Sequence, residues 1–395
     1  MKIILANKFY YRRGGDCVYT IELEQLLKKH GHDVAIFAMD YPENYDTPWK
    51  QYFPSEVSFN SIRGVFKTLF RPFGSNEVKQ KFNKLLDDFQ PDIVHLNNIH
   101  TQLSPIIAEL AHNRGIKVVW TIHDYKLLCP RYDCLRNGRD ICEKCFSGNK
   151  LFCLSNRCIK NSIIGSWIGY KEAIKWNRER LEKCTDLFIC PSKFMAKKMV
   201  AGGFYKNKIV SWFNFIDINK CKRLDYNIRK DYYCFVGRLS HEKGCNTLIK
   251  VANQLPYKLK IIGNGPLINS LKAIANNNIE FVGFKQWDEI KKIVGEARFV
   301  VTPSEWYEVF GLVNIEAQCL GTPVLGARIG GITELINENI NGMTFTSHNE
   351  EDLKNKILEM FSFSFNYVDI AQKACKEYNA ETYYEKLIKG YTITY

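Results

Sequence analysis

Residues Phe299 to Ile332 read FVVTPSEWYEVFGLVNIEAQCLGTPVLGARIGGI, and their order decides the fold. Val300-Val301-Thr302 is a short β-branched run that Pro303 and Ser304 stop, as in a buried strand ending in a loop. Glu308 follows in that loop, and Gly311, lacking a Cβ, lets backbone approach a ligand. Leu312 to Leu320 predicts a short helix, which Gly321-Thr322-Pro323 end before a second apolar strand at Val324-Leu325. Strand, acidic loop, helix, strand is the repeating unit of an open parallel sheet. Such sheets bind ligands at the carboxyl ends of their strands, where Glu308 and Glu316 both reach. Either glutamate alone would be a solvated residue favoured by a helix dipole. The Gly330-Gly331 pair and a basic loop upstream argue for a site instead.

That basic loop follows another predicted strand, Tyr232 to Val236, and precedes a helix starting near Asn246. It reads Gly237-Arg238-Leu239-Ser240-His241-Glu242-Lys243-Gly244. Arg238 offers a planar fork to phosphate oxygens and Lys243 a point charge, so together they can hold a diphosphate. Lys260 to Pro266 (KIIGNGP) is a second strand with a glycine loop, and Ile279 to Gly283 a third strand end.

These stretches resemble the donor-site signature of glycosyltransferase family 4, a group of retaining sugar transferases. The resemblance extends over nearly the whole chain except a cysteine-rich insert. It implies an α/β protein of GT-B fold, with two Rossmann-like domains facing across a cleft, the first for the acceptor and the second for a nucleoside-diphosphate sugar. It puts Arg238 and Lys243 on the donor diphosphate, Glu308 by the donor sugar as a catalytic residue, and Glu316 on the ribose hydroxyls. Gly311, Leu312 and Gly283 line the donor site in the same reading, with the nucleobase near Phe281, Val282 and Gly283. The donor expected is a UDP- or GDP-sugar, transferred with retention of configuration. No catalytic metal is expected: no two aspartates stand one residue apart, so the D-x-D metal motif of the other sugar-transferase fold is missing.

The first half opens as βαβ: Ile3-Ile4-Leu5, a glycine-bearing loop, a helix from about Val18 to Lys29, and Val34 to Phe37. Gly14-Gly15 can bring amides to an anion or a sugar, and Gly15 matches the glycine loop of the family. Predicted strands Asp92–Leu96 and Lys117–Ile122 deliver His95, Asn97, Asn98 and His100, and then His123 and Asp124. A lone histidine is usually structural, but Thr121-Ile122-His123-Asp124 matches the threonine-x-histidine segment facing the donor sugar. His123 is therefore the second catalytic candidate, as hydrogen-bond donor or proton shuttle. Ile163 to Lys183 predicts one helix, and Ser192 caps another.

Between these parts, Cys129, Cys134, Cys142, Cys145, Cys153 and Cys158 are separated by 4, 7, 2, 7 and 4 residues. With no secretion signal, disulfides are not expected, and Cys142-x-x-Cys145 with flanking cysteines suits a structural zinc. Which cysteines would ligate it is unknown from the sequence. Some relatives in the family resemble this chain in carrying such an insert, read here as a structural knob by the acceptor.

At 395 residues the chain exceeds one core, and the polar, aperiodic stretch from Asn219 marks the expected boundary. The expected domains are 1–218 with the insert at about 129–158, 219–375, and a terminal helix in 376–395 crossing back to the first domain. The formal charge of +13 is uneven, residues 1–200 holding 31 Lys+Arg against 21 Asp+Glu. Segment 61–86 interleaves Arg63, Lys67 and Arg71 with Val65, Phe66, Leu69, Phe70 and Phe73. Both features suit an anionic membrane face or a lipid-linked acceptor, although a solvated surface and an ordinary amphipathic helix account for them as well. No apolar run is long enough to span a bilayer, so a cytoplasmic protein, at most peripheral at the inner face of the membrane, is expected. Nucleic acid is disfavoured, because no zinc finger, basic zipper or RNA-recognition signature appears. Surface polysaccharide synthesis (capsule, O-antigen or exopolysaccharide) is the expected role. The alternatives are a non-catalytic scaffold and another nucleotide-sugar enzyme, phosphorylase-like or epimerase; an NAD enzyme is weakened by the missing G-x-G-x-x-G.

Overall fold

Short apolar runs covered on both faces build two parallel sheets of six strands each, as such runs do in α/β proteins. The computed structural model describes residues 1–56, 70–222 and 225–393. The first part of the basic-aromatic stretch 61–86, including Arg63, Val65, Phe66, Lys67 and Leu69, lies outside the described residues.

One unit comprises Met1–Asn137, Cys142–Phe213 and Tyr383–Tyr395. Its strands are β1 (Lys2–Ala6), β2 (Asp33–Phe37), β3 (Ile93–Leu96), β4 (Lys117–Thr121), β5 (Leu187–Cys190) and β6 (Ile209–Ser211). They lie in the order β2-β1-β3-β4-β5-β6, all parallel. Ile3, Ile4, Leu5, Val94 and Val118 are fully buried. Because β2 and β3 flank β1 on opposite sides, the loops after β1 and β3 part at the sheet's carboxyl edge, opening a crevice.

The helix foreseen over Ile163 to Lys183 is two helices, Ile163–Lys175 and Arg178–Lys183. Trp176 is the reason: its ring is buried and its indole N–H donates to Pro72 O at 2.7 Å, which takes the backbone out of the helical path. Asn177 then restarts the helix, its side-chain oxygen accepting from Arg180 N at 3.0 Å. Ser192 caps Lys193–Ala201 in the same way, through Met195 N.

The other unit comprises Gly138–Ile141 and Asn214–Thr382. Its strands are β7 (Tyr232–Val236), β8 (Lys258–Ile262), β9 (Ile279–Gly283), β10 (Val300–Thr302), β11 (Val324–Ala327) and β12 (Gly342–Phe345). The order is β9-β8-β7-β10-β11-β12, again all parallel. Tyr233, Leu248, Leu259, Phe299, Leu325 and Leu353 belong to one buried core. β7 and β10 are neighbours, so the loops after them start side by side, and because the order reverses between them those loops then part as in the first unit.

The last helix, Ala380–Thr392, packs on the first unit from Tyr383 onward. Leu387 is fully buried, and a Cβ on Gly390 would come 2.7 Å from the Trp212 ring. Tyr384 stacks on His30 at 3.7 Å, and Tyr391 Oη lies 2.6 Å from His95 Nδ1. Leu387→Ala is expected to destabilise this unit by about 2–4 kcal/mol, as large-to-small changes in a filled core do. Exposed Lys389→Ala should change stability by less than about 0.5 kcal/mol. Equal urea midpoints for the two variants would show that the helix does not hold the fold.

Candidate active site

In the second unit, the loops after β7 and β10 carry the two groups of opposite charge that the sequence singles out. Lys243 Nζ lies 2.6 Å from Glu308 Oε2, with both side chains mostly buried. The same oxygen accepts from Trp306 Nε1 at 3.1 Å and Ser304 Oγ at 3.2 Å. The Lys243 ammonium also sits 5.1 Å from the Trp306 ring centre. Glu308 is thus fixed by three donors, two of them from its own loop. Arg238, on the same loop as Lys243, is exposed and has no acidic partner among the described residues.

Glycines bring these loops together. Gly244 has φ +67°, and a Cβ there would stand 1.8 Å from Pro303 O. At Gly330, φ +62°, a Cβ would meet Glu308 O at 2.4 Å, and Gly331 N donates to that same oxygen at 2.7 Å. The Gly330-Gly331 pair therefore clamps the backbone of Glu308 from the loop after β11. Gly311, φ +92°, caps the helix Leu312–Cys319, whose N-terminus faces the same loops; Leu312 opens the helix and half-buried Glu316 lies one turn on. Gly283 ends β9 at φ +81°, with open space where a Cβ would be. Sequence reasoning missed Trp306 and Ser304, whose signal was their closeness to Glu308. It also missed Asn314, which is fully buried behind Gly311 with neither amide atom paired. Such a group is costly to bury, and the cost falls directly beneath the helix start.

In the first unit, His123 follows β4 and is half-buried. Its Nε2 lies 3.0 Å from Asn97 Oδ1 at the end of β3, and the Tyr19 ring stands edge-on at 4.9 Å. With Asn97 Oδ1 accepting, Nε2 carries the proton and Nδ1 keeps its lone pair. Asn97 Nδ2 is buried without a partner. Beneath lies a buried polar chain: His95 Nε2 is 2.7 Å from Thr121 Oγ1, which is 3.3 Å from Tyr19 Oη, and Tyr19 Oη meets Tyr383 Oη. This chain joins the terminal helix to the strand that presents His123. Gly15 is the exposed first residue of the helix Gly15–Lys29.

Burial lowers the His123 imidazole to about 4, the Asp16 carboxylate opposing it, and burial with the His123 charge takes His95 to about 3. Asp124 is raised to about 6 by burial, against its bond from Lys126 N and the charges of Lys8 and Lys126. The histidines' folded values lie below the ordinary one, so their stabilising contribution is full above about pH 6.5. It is lost as pH falls, for His123 through about 4. Asp124 acts oppositely, its contribution lost as pH rises through about 6.

Among the described residues, no three His, Cys, Asp or Glu side chains gather so as to hold one metal ion. The arrangement therefore does not fit the zinc expected in the insert, whose cysteines are free thiols. Cys129 lies beside Cys134, and Cys153 beside Cys158. Lys150 ties the insert instead, its ammonium donating to Leu128 O and Cys145 O, each at 2.7 Å. Arg131 adds bonds to Asp133 at 2.8 Å and Cys158 O at 2.6 Å.

The profile of Glycosyltransferase Family 4 matches residues 13–220, more than half of the chain, and that of Glycosyl transferases group 1 matches residues 221–381. An uncharacterized 42.6 kDa protein in the cps region of Klebsiella pneumoniae is 28% identical over 355 residues, covering 85% of this chain and 87% of that one. Among solved structures, Anabaena HepE in complex with UDP-glucose superposes with TM-score 0.69 at 18% identity, covering 99% of both chains. Sucrose-phosphate synthase from Thermosynechococcus elongatus gives TM-score 0.71 at 17% identity, covering 99% of this chain and 98% of that one. The shared architecture is the GT-B fold of two Rossmann-like domains.

Two outcomes follow from this geometry. In a proton NMR titration the His123 imidazole should stay neutral at pH 5.5, with a midpoint near 4; a midpoint near the ordinary 6.5 would contradict the burial described. Gly330→Ala should destabilise the second unit by about 1–3 kcal/mol, through its positive φ and its clash with the Glu308 backbone. An unchanged melting temperature for that variant would mean that the loop does not clamp Glu308.

Proposed function

The chain belongs to glycosyltransferase family 4, and from that premise we propose that it moves a sugar from a nucleoside-diphosphate donor, a UDP- or GDP-sugar, to an acceptor hydroxyl with retention of configuration. The observation that carries this reading is the meeting of Lys243 and Glu308 at the strand-order reversal of the second unit, with Arg238 on the same loop as Lys243 and without an acidic partner among the described residues. A cation held by a carboxylate and a second cation left without one make a site that gains from an arriving dianion.

In this reading Arg238 and Lys243 take the diphosphate, joined by the amides at Gly311 and Leu312 where the helix starts. Glu316 takes the ribose hydroxyls, Gly283 leaves room for the base, and Glu308 lies by the donor sugar. As the bond from the anomeric carbon to the phosphate oxygen breaks, negative charge grows on the diphosphate. The two cations and the helix dipole are already oriented to meet it. The acceptor oxygen forms its bond on the face that the diphosphate leaves, and its proton passes to the departing phosphate. His123, neutral and oriented by Asn97, offers its free nitrogen to a sugar hydroxyl on the first unit, where the acceptor binds, and Gly15 adds a backbone amide. No step in this scheme calls for a metal.

A glycan or lipid-linked acceptor in surface polysaccharide synthesis is supported by the cps-region relative and by the basic first half of the chain. The experiment is calorimetry with UDP, GDP and their common sugars, without divalent metal, on wild type and two variants. One nucleotide should bind selectively, and Arg238→Ala and Glu316→Ala should each weaken it by about tenfold or more. His123→Ala should lower turnover while leaving donor affinity nearly unchanged. Identical donor affinity in wild type and Glu316→Ala would sink the ribose assignment, and no binding of any nucleotide would sink the reading itself.

A further inference from the structure

The helix Ile163–Lys175 is folded with its polar side inward. Ser166, Gly169 and Glu172, three residues apart, are its buried positions. Glu172 is held there by Lys126 at 2.8 Å, and a Cβ on Gly169 would stand 2.2 Å from Ile159 Cδ1. The opposite stripe is Ile164, Trp167, Lys171 and Ile174, where Ile164 is 70% exposed, Trp167 48% and Ile174 45%. A helix on the surface of a water-soluble domain normally does the reverse. The neighbouring helix Leu151–Ser155 packs against it and adds Leu151 and Phe152, both exposed.

Charge follows the same face. From Lys144 to Lys175 the chain holds six cations and one acid, the buried Glu172; Lys150 and Lys175 are bonded to main-chain oxygens, and Lys144 and Lys171 stand beside the exposed rings. Lys171 Nζ lies 5.7 Å from the centre of the Trp167 ring, and Lys144 Nζ 5.6 Å from that of Phe152. Exposed isoleucines beside aromatic rings that each carry a lysine form the pattern of an interfacial segment. Apolar chains enter the acyl boundary, the indole sits among headgroups, and ammonium groups meet lipid phosphates. A second copy of the chain would bring cations against cations on this face, which disfavours self-association.

We propose that the face of Phe152, Ile164, Trp167 and Ile174, flanked by Lys144 and Lys171, docks the protein on an anionic lipid bilayer. The surface lies wholly within the first unit and does not depend on the donor-site reading.

Co-sedimentation of the full chain with vesicles tests it, using phosphatidylglycerol and phosphatidylcholine in equal parts against phosphatidylcholine alone. Wild type should bind the anionic vesicles about tenfold or more tightly than the neutral ones, and high salt should release it. The double variant I164E/W167E should lose about tenfold or more of that binding while keeping its melting curve, because both side chains already face solvent. Its nucleotide affinity should be unchanged, which separates failure here from failure of the donor site. Three outcomes would overturn the proposal: wild type remaining in the supernatant, the variant sedimenting like wild type, or a wild-type dimer that the variant dissolves.

Discussion

The contact between Lys243 and Glu308 is the constraint around which the second unit is arranged. It exists because β7 and β10, distant in sequence, are neighbours in the sheet, so that the loops after them start side by side. Three of the four glycines flanking the pair, Gly244, Gly311 and Gly330, take left-handed backbone that other residues rarely adopt. The Trp306 indole and the Ser304 hydroxyl complete the shell about the carboxylate. Were β7 and β10 not neighbours, the cation and the carboxylate would stand on loops with no reason to meet.

The first unit solves a different problem. Its histidine is presented by a strand end, and the support comes from a buried chain of hydroxyls and imidazoles running from Thr121 through Tyr19 and His95 to Tyr383 and Tyr391. Both outer tyrosines sit on the last helix of the chain. These two tyrosines are separated from His123 by more than two hundred and fifty positions. Burial makes the chain rigid and keeps its imidazoles uncharged.

Much of this was legible in the sequence, because parallel strands are short apolar runs and their carboxyl ends are marked by glycine, charge and proline. Arg238, Lys243, Glu308 and Glu316 could be picked out for that reason. The break at Trp176 reads through as helix: the tertiary bond to Pro72 O that turns the chain is invisible in the sequence, and Asn177, which caps the next helix, is its one local sign. Asn314 too reads as an ordinary helix residue until its burial without partners is seen. The cysteine spacing suggested a metal knot, but spacing says nothing about where thiols point. In the folded insert it is the flexible arm of Lys150, reaching two carbonyls, that closes the knob.

Backbone packed directly on backbone has a consequence for how this protein can be re-engineered. At Gly244, Gly263, Gly265 and Gly330 a single added carbon would overlap a main-chain oxygen of a neighbouring loop, so any side chain there forces the main chain to shift. A saturation library over the second unit selected for stability would therefore favour glycine at those four positions. Diversity would concentrate where side chains project outward, as at the exposed Phe284. The scaffold of loops is digital, and any change of sugar or base preference has to be written in the side chains around it.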